Sequence, residues 1–211
     1  MDSVTLAYLL AEEGYGLHLL AFDYGQRHKK ELDYARRCAE RLDADFDAVD
    51  IRGVGRLLSG SALTDDIDVP HGHYAAETMA VTVVPNRNAI MLSIAYGAAV
   101  SEGAALVGAA MHTGDHYVYP DCRPEFTEAF AAMQEKAVEC FGHENLKLYT
   151  PFIGSGKPNI VEVGARLGVP YEETWSCYEG GEIHCGLCGT CNERKEAFAL
   201  AGVPDPTRYR S

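Results

Sequence analysis

Long apolar runs are missing from this 211-residue chain. No stretch has the length of a membrane span and no signal peptide opens it, so a soluble, intracellular and cytoplasmic protein is the expectation. Cations are few: 18 Lys and Arg stand against 31 Asp and Glu, giving a net charge of −13. A basic nucleic-acid-binding face is therefore not expected. An anionic substrate would need a pocket of local positive charge against this background. The chain also lacks a Ser-His-Asp order and an H-E-x-x-H pattern, which gives hydrolase and metalloprotease readings little support. Internal repeats and low-complexity tracts are absent too. No strand pattern precedes the first helical one, which in an α/β domain leaves the sheet without a member and hints at something missing upstream.

What is present can build a core. The hydrophobic fraction is 47%, and the length suits one domain over 1–211. The first helical pattern, LAYLLAEE, takes Asp2 or Ser3 as its N-cap and stops at Gly14. A buried strand is predicted over Leu17–Phe22. A helix follows over Lys29–Leu42, with Leu32, Ala35, Ala39 and Leu42 on one face, and then a strand over Phe46–Ile51. Gly53 to Thr82 has no clear period and reads as a long functional loop. Its His71 and His73, beside Tyr74, could bind a metal or simply be solvated. Further helices are expected from Pro85–Asn88 to Ser101, over Pro124–Cys140, over Lys157–Leu167 and over Glu193–Ala201. Further strands are expected over Ala104–Ala109, Leu146–Thr150 and, briefly, Tyr171–Thr174. This alternation predicts an α/β fold, a Rossmann-like parallel sheet with helices on both faces, whose ligands sit beyond the carboxyl ends of the strands.

The densest chemical signal is WSCYEGGEIHCGLCGTCNERKEAF, Trp175 to Phe198. It holds Cys177, Cys185, Cys188 and Cys191 in the spacing C-x7-C-x2-C-x2-C. Four thiolates fill a tetrahedral Zn²⁺ shell, and a closed shell leaves no open position, so such a zinc would be structural. A disulfide pair or an iron–sulfur cluster are the other readings of the same cysteines. Cys38, Cys122 and Cys140 lie in or beside amphipathic stretches and are expected to be buried thiols.

Four polar segments fall at strand ends. Asp23 to His28 offers an aromatic face at Tyr24 and a guanidinium, which suits a nucleotide, though a polar turn after a strand is common. Arg87 opens a helix with Asn88 beside it, so it is a candidate phosphate clamp or simply a capped helix end with a solvated Arg. Lys157, after Gly154-Ser155-Gly156, follows the same logic. Asp115, Asp121 and Arg123 place two carboxylates and a guanidinium in one loop. They could read an amidine edge and hold a substrate carboxylate, or make an Asp–Arg turn.

Taken together, FDYGQRH at 22–28, VPNRN at 84–88, GDHYVYPDCR at 114–123, Lys157 and SCYEGGEIHCGLCGTCNERKEAF at 176–198 resemble the 7-cyano-7-deazaguanine synthases. These are the QueC family of nucleotide-α-hydrolase-like PP-loop enzymes. The resemblance covers essentially the whole chain. It implies an ATP-dependent carbon–nitrogen ligase that turns the carboxylate of 7-carboxy-7-deazaguanine into a nitrile, with ammonia as nitrogen source and Mg²⁺ on the phosphates. The product would feed queuosine or archaeosine modification of tRNA. The resemblance also implies a homodimer without a direct nucleic-acid partner. The carried-over roles are ATP binding for Asp2, Ser3, Tyr24, Arg87 and Lys157. Catalysis falls to Lys157, Arg87 and Asp115, substrate binding to Asp115, Asp121 and Arg123, and one structural zinc to the four clustered cysteines.

One departure stands out. The family's PP-loop reads S-G-G-x-D-S, and here only Met1, Asp2 and Ser3 match its end. The expectation is a start placed inside that loop, without the first strand and without part of the N–H nest for phosphate. Two other readings remain: another PP-loop ligase or tRNA-modifying enzyme, and a non-catalytic zinc-stabilised scaffold.

Overall fold

The structure, a computed structural model, describes residues 1–72, 79–115 and 117–210. The chain divides into two compact units, Met1–Val84 with Lys157–Ser211, and Pro85–Gly156. Each carries a pair of parallel strands, so α/β architecture holds within both. Among the described residues the strands form two separate two-stranded ladders, whereas the sequence pattern suggested one continuous sheet. Of the candidate pair His71 and His73, His73 lies outside the described residues, as does Tyr74.

In the first unit, α1 (Asp2–Glu12) leads into β1 (His18–Asp23), α2 (Lys30–Leu42), β2 (Asp45–Asp50) and the single turn α3 (Arg52–Gly55). β1 and β2 pair in parallel from His18↔Asp45 to Asp23↔Asp50. α1 ends where Gly14 takes φ +87°, with Gly14 N–H on the Ala11 carbonyl and Tyr15 N–H on that of Leu10. This is a left-handed cap that glycine adopts without strain. Asp2 and Ser3 do not cap this helix. Met1 holds the N-cap position, and the Asp2 carboxylate is drawn instead to the Lys157 ammonium, 3.4 Å away.

The same unit closes with α6 (Lys157–Arg166) and α7 (Gly189–Ala201), numbered after the two helices of the second unit. α1, α6 and α7 enclose a core of Met1, Val161, Val169, Tyr171, Ala197 and Phe198, with the Tyr171 and Phe198 rings edge-on at 5.0 Å. Tyr171 to Glu173 forms a 3₁₀ turn, not the short strand expected. Glu173 N–H bonds the Pro170 carbonyl, and Arg194 takes the Tyr171 carbonyl, leaving no neighbouring strand to pair with. α7 begins at Gly189 and not at Glu193, because Asn192 N–H reaches back to the Cys188 carbonyl and winds the first turn around Cys191.

The second unit contains α4 (Arg87–Glu102), β3 (Leu106–Gly108), α5 (Pro124–Ala137) and β4 (Lys147–Tyr149). β3 and β4 pair in parallel, and Tyr96 of α4 meets Phe130 of α5 edge-on at 5.9 Å. Cys38 and Cys122 are buried as expected, but Cys140 is exposed. α5 stops at Ala137, and Cys140 has a positive φ of 71° beyond its end.

Close packing in the first unit sets up one test. A Cβ at Gly164 on α6 would stand 2.0 Å from the Tyr171 hydroxyl oxygen. That hydroxyl cannot easily retreat, because it is hydrogen-bonded to the Ile160 carbonyl (2.9 Å) and to Thr5 Oγ1 of α1 (3.1 Å). Helix propensity alone would favour Ala over Gly by ~1 kcal/mol, but overpacking costs ~1–3 kcal/mol and hydrogen bonds would break as well. Gly164→Ala should therefore lower stability in chemical denaturation. A stabilised variant would show that the Tyr171 ring can move aside.

Candidate functional site

The four clustered cysteines gather into one buried knot. Their Sγ atoms all lie within 4.8 Å of one another, and Cys188 and Cys191 are wholly inaccessible. The Cys185 and Cys191 sulfurs are 3.8 Å apart. That is far beyond an S–S bond of about 2.05 Å, and all seven cysteines are unbridged. It is, however, the spacing of two sulfurs on one tetrahedral ion with metal–sulfur bonds of about 2.3 Å. The knot has room for a single ion rather than a multi-iron cluster. Backbone N–H groups already face the sulfurs: Cys188 and Leu187 donate to Cys185 Sγ, and Cys185 donates to Cys177 Sγ. Hydrogen bonds from Cys177, then Cys191, draw the Cys188 thiol down, while the bond to Cys188 pushes the Cys177 thiol up and the bond to Cys177 pushes the Cys191 thiol up. The four cysteines could hold a metal ion.

Trp175, Tyr34, Tyr178 and Tyr209 pack around this knot. His184 stacks on Trp175 at 4.4 Å. His71 lies in an antiparallel bridge with Cys188, and its ring Nε2 makes a hydrogen-bond contact with Glu179 Oε1.

Residues beyond the carboxyl ends of β1 and β2 form a second feature of the same unit. Tyr24 is buried there, its N–H on Gln26 Oε1. A cavity of about 640 Å³ opens beside it, lined by Gly25, Arg52, Arg56, Ser59 and Thr64 among others. Arg52 is clamped by the Asp50 carboxylate through two hydrogen bonds of 2.9 and 2.6 Å. At the start of α6, Lys157 Nζ lies 2.5 Å from Glu193 Oε2 and 3.4 Å from Asp2 Oδ2. Asp2 and Lys157, both named from sequence, thus meet, while Ser3 is exposed.

The second unit carries the remaining named residues. Arg87 is the first residue of α4, following Asn86 with its φ of 57°. The next N–H, that of Asn88, donates to Asp121 Oδ2 at 3.0 Å, so Asp121 caps α4. Asn88 Nδ2 also donates to Cys122 Sγ at 3.1 Å. Burial, with Asp115 and Asp121 nearby, pushes the Cys122 thiol well up, which favours its neutral form. Asp115 Oδ2 faces Nε2 of His112 at 3.4 Å, and Gly114 N–H occupies His112 Nδ1. That pattern assigns the ring proton to Nε2, directed at the carboxylate. Arg123 stands exposed at the N-cap of α5.

Comparison with known proteins fits these pieces. The family described as "Queuosine biosynthesis protein QueC" matches residues 1–202. The chain belongs to the QueC family. A relative from Chelativorans sp. (strain BNC1) is 59% identical over 209 residues, covering 99% of this chain and 89% of its own length. One from Ruegeria pomeroyi is 58% identical with 99% and 90% covered, and one from Rhizobium johnstonii is 59% identical with 99% and 88% covered. All three are named 7-cyano-7-deazaguanine synthase.

For this QueC-family chain the sequence reading missed two residues that hold named ones: Glu193 against Lys157, and His112 against Asp115. Glu193 was legible only as the start of the last helix, with nothing in its spacing to point to Lys157, although it follows Cys191 by two positions. His112 lay inside a polar stretch whose only singled-out members were downstream. Among the described residues, no helix is long and apolar enough to cross a membrane.

Metal binding and folding should fail together in this unit, because a site assembled only on folding contributes its binding free energy to stability. Cys188→Ser should bring the metal content measured by elemental analysis from about one ion per chain to near none, and soluble yield should fall with it. Unchanged metal content would remove Cys188 from the ligand set.

Proposed function

We propose that this chain converts 7-carboxy-7-deazaguanine to 7-cyano-7-deazaguanine with ATP and ammonia, a step toward queuosine or archaeosine. The observation that carries this reading is the family match over residues 1–202, with relatives of that name near 58% identity along 99% of the chain. The chemistry explains why ATP is needed. A carboxylate is a poor electrophile until one oxygen is converted to a phosphorylated or adenylated leaving group. Ammonia displaces that group to give the amide, and a second activation of the amide oxygen permits its loss and leaves the nitrile.

The protein's part in such a reaction is placement and charge neutralisation. In our reading Lys157, supported by Asp2, contacts the ATP phosphates, with Ser3 on the same helical turn. Tyr24 serves the nucleotide from the end of β1, and Arg87 adds a guanidinium at the start of α4. Asp115, oriented by His112, faces the deazaguanine, together with Asp121 and Arg123. Mg²⁺ on the phosphates would neutralise part of their charge. The ion in the cysteine knot is zinc, with a structural role, since four sulfurs close its shell. We further assign a cytoplasmic homodimer acting on small molecules without a direct nucleic-acid partner, in keeping with the net charge of −13.

Mass spectrometry tests this reading. Incubation with 7-carboxy-7-deazaguanine, ATP, Mg²⁺ and ammonia should yield the nitrile, and Lys157→Ala should slow its formation by roughly 100-fold, the scale of losing one donor to developing charge. Failure to consume ATP in the presence of the carboxylate would leave the scaffold reading in its place.

A further inference from the structure

The metal-binding segment does more than close the fold. Lys157 Nζ is held 2.5 Å from Glu193 Oε2, and both side chains are nearly buried, at 11% and 13% exposure. Asp2 approaches the same ammonium from α1 at 3.4 Å. Glu193 is two residues past Cys191, at the start of the second turn of α7. That turn is fixed at both flanks. Cys188 and Cys191 anchor it to the cysteine knot, and the wholly buried guanidinium of Arg194 donates to the Tyr171 carbonyl (2.7 Å), Thr174 Oγ1 (2.8 Å) and Thr207 Oγ1 (2.7 Å).

We propose that Glu193 is the positioning residue for Lys157, so that the cysteine knot sets the geometry of the phosphate-binding lysine through two residues of helix. This rests on the reading that places Lys157 at the ATP phosphates. A lysine has a flexible four-carbon stem, and ordering such a side chain on binding costs affinity. A carboxylate carried on an immobile helix turn removes that cost in advance. The alternative, that the pair merely stabilises the fold, is weakly motivated, because a buried ion pair is often no more stabilising than an apolar pair of the same shape.

A double-mutant cycle on Mg-ATP binding by calorimetry decides the matter. In the otherwise unchanged chain, Glu193→Gln should weaken ATP binding roughly three- to tenfold, the scale of immobilising one long side chain, with metal content and melting temperature retained. In a Lys157→Ala background the same substitution should have no further effect, since the residue it positions is gone. If Glu193→Gln itself loses metal, Glu193→Met, which fills the space without a polar atom, takes its place in the cycle. An equal effect in both backgrounds, no effect in either, or tighter binding on loss of Glu193 would overturn the positioning role while leaving Lys157 at the phosphates. Unchanged ATP affinity in Lys157→Ala alone would overturn the phosphate reading, and the role of Glu193 with it.

Discussion

Much of the first unit hangs on a single buried cation. The guanidinium of Arg194 is 1% exposed, yet it reaches the carbonyl of Tyr171, the hydroxyls of Thr174 and Thr207, and the carboxylate of Asp205 at 3.8 Å. A charge removed from water this completely is tolerated only when nearly every donor is engaged. Deleting one side of such an arrangement typically costs ~3–5 kcal/mol. The demand for partners therefore dictates local structure around it. Tyr171–Glu173 is a tight turn because its carbonyl must face the guanidinium, and the segment after α7 returns so that Thr207 and Asp205 can do the same. Tyr171 in turn hydrogen-bonds Thr5 of α1. One cation thus ties the last helix, the turn before the cysteine segment and the first helix together.

The cysteine knot is the complementary constraint. It lies in a segment rich in glycine, where regular structure has little intrinsic support. What order this stretch has comes from sulfurs packed within 4.8 Å, from backbone N–H groups turned toward them, and from the aromatic wall of Trp175, Tyr34, Tyr178 and Tyr209. Such an arrangement could hold an ion at its centre, which would offset the repulsion among four crowded thiolates. Cys191, the last of the four, is inside α7 rather than before it, so the helix phase is tied to the packing of the sulfur knot. Glu193 and Arg194 are consecutive residues of the helix's second turn and so leave the helix axis about 100° apart. One turns toward Lys157 and the other into the buried acceptor set.

Much of this was legible in the sequence, and the gaps have physical causes. Strand and helix positions in both units came through because period-2 and period-3.6 patterns are local properties of stretches such as Phe46–Ile51 and Lys29–Leu42. The C-x7-C-x2-C-x2-C spacing identified the knot for the same reason. Errors arose where a distant partner overrode local preference. Asp2 is a good N-cap residue in isolation, but a lysine 155 positions later in the chain claims its carboxylate. Tyr171–Thr174 has the composition of a strand and lacks a neighbouring strand to pair with. The early start of α7 was hidden because C-G-T-C reads as a metal motif, and a motif does not reveal that its last ligand is helical. Asp121 was legible as a functional acid, but not as the acceptor for the N–H of Asn88.

Electrostatics gives these pairings a common sense. A chain with net charge −13 repels anions at long range, so any site for a polyphosphate depends on cations held in place at short range, where geometry outweighs net charge. The cations placed in fixed geometry each come with an acid: Arg52 with Asp50, Lys157 with Glu193 and Asp2, Arg194 with Asp205. Such pairing looks counterproductive for binding anions, because it lowers the local potential. It is better understood as a trade of field strength for direction. An exposed lysine offers its full charge over a wide cone of positions, whereas one gripped by two carboxylates on separate helices offers less charge at one place. For the proposed double activation of one carbon centre, placement is the scarcer quantity. Under the positioning proposed for Glu193, an ion in the cysteine knot would fix the helix that bears one of those carboxylates, and would act on the lysine without touching a substrate.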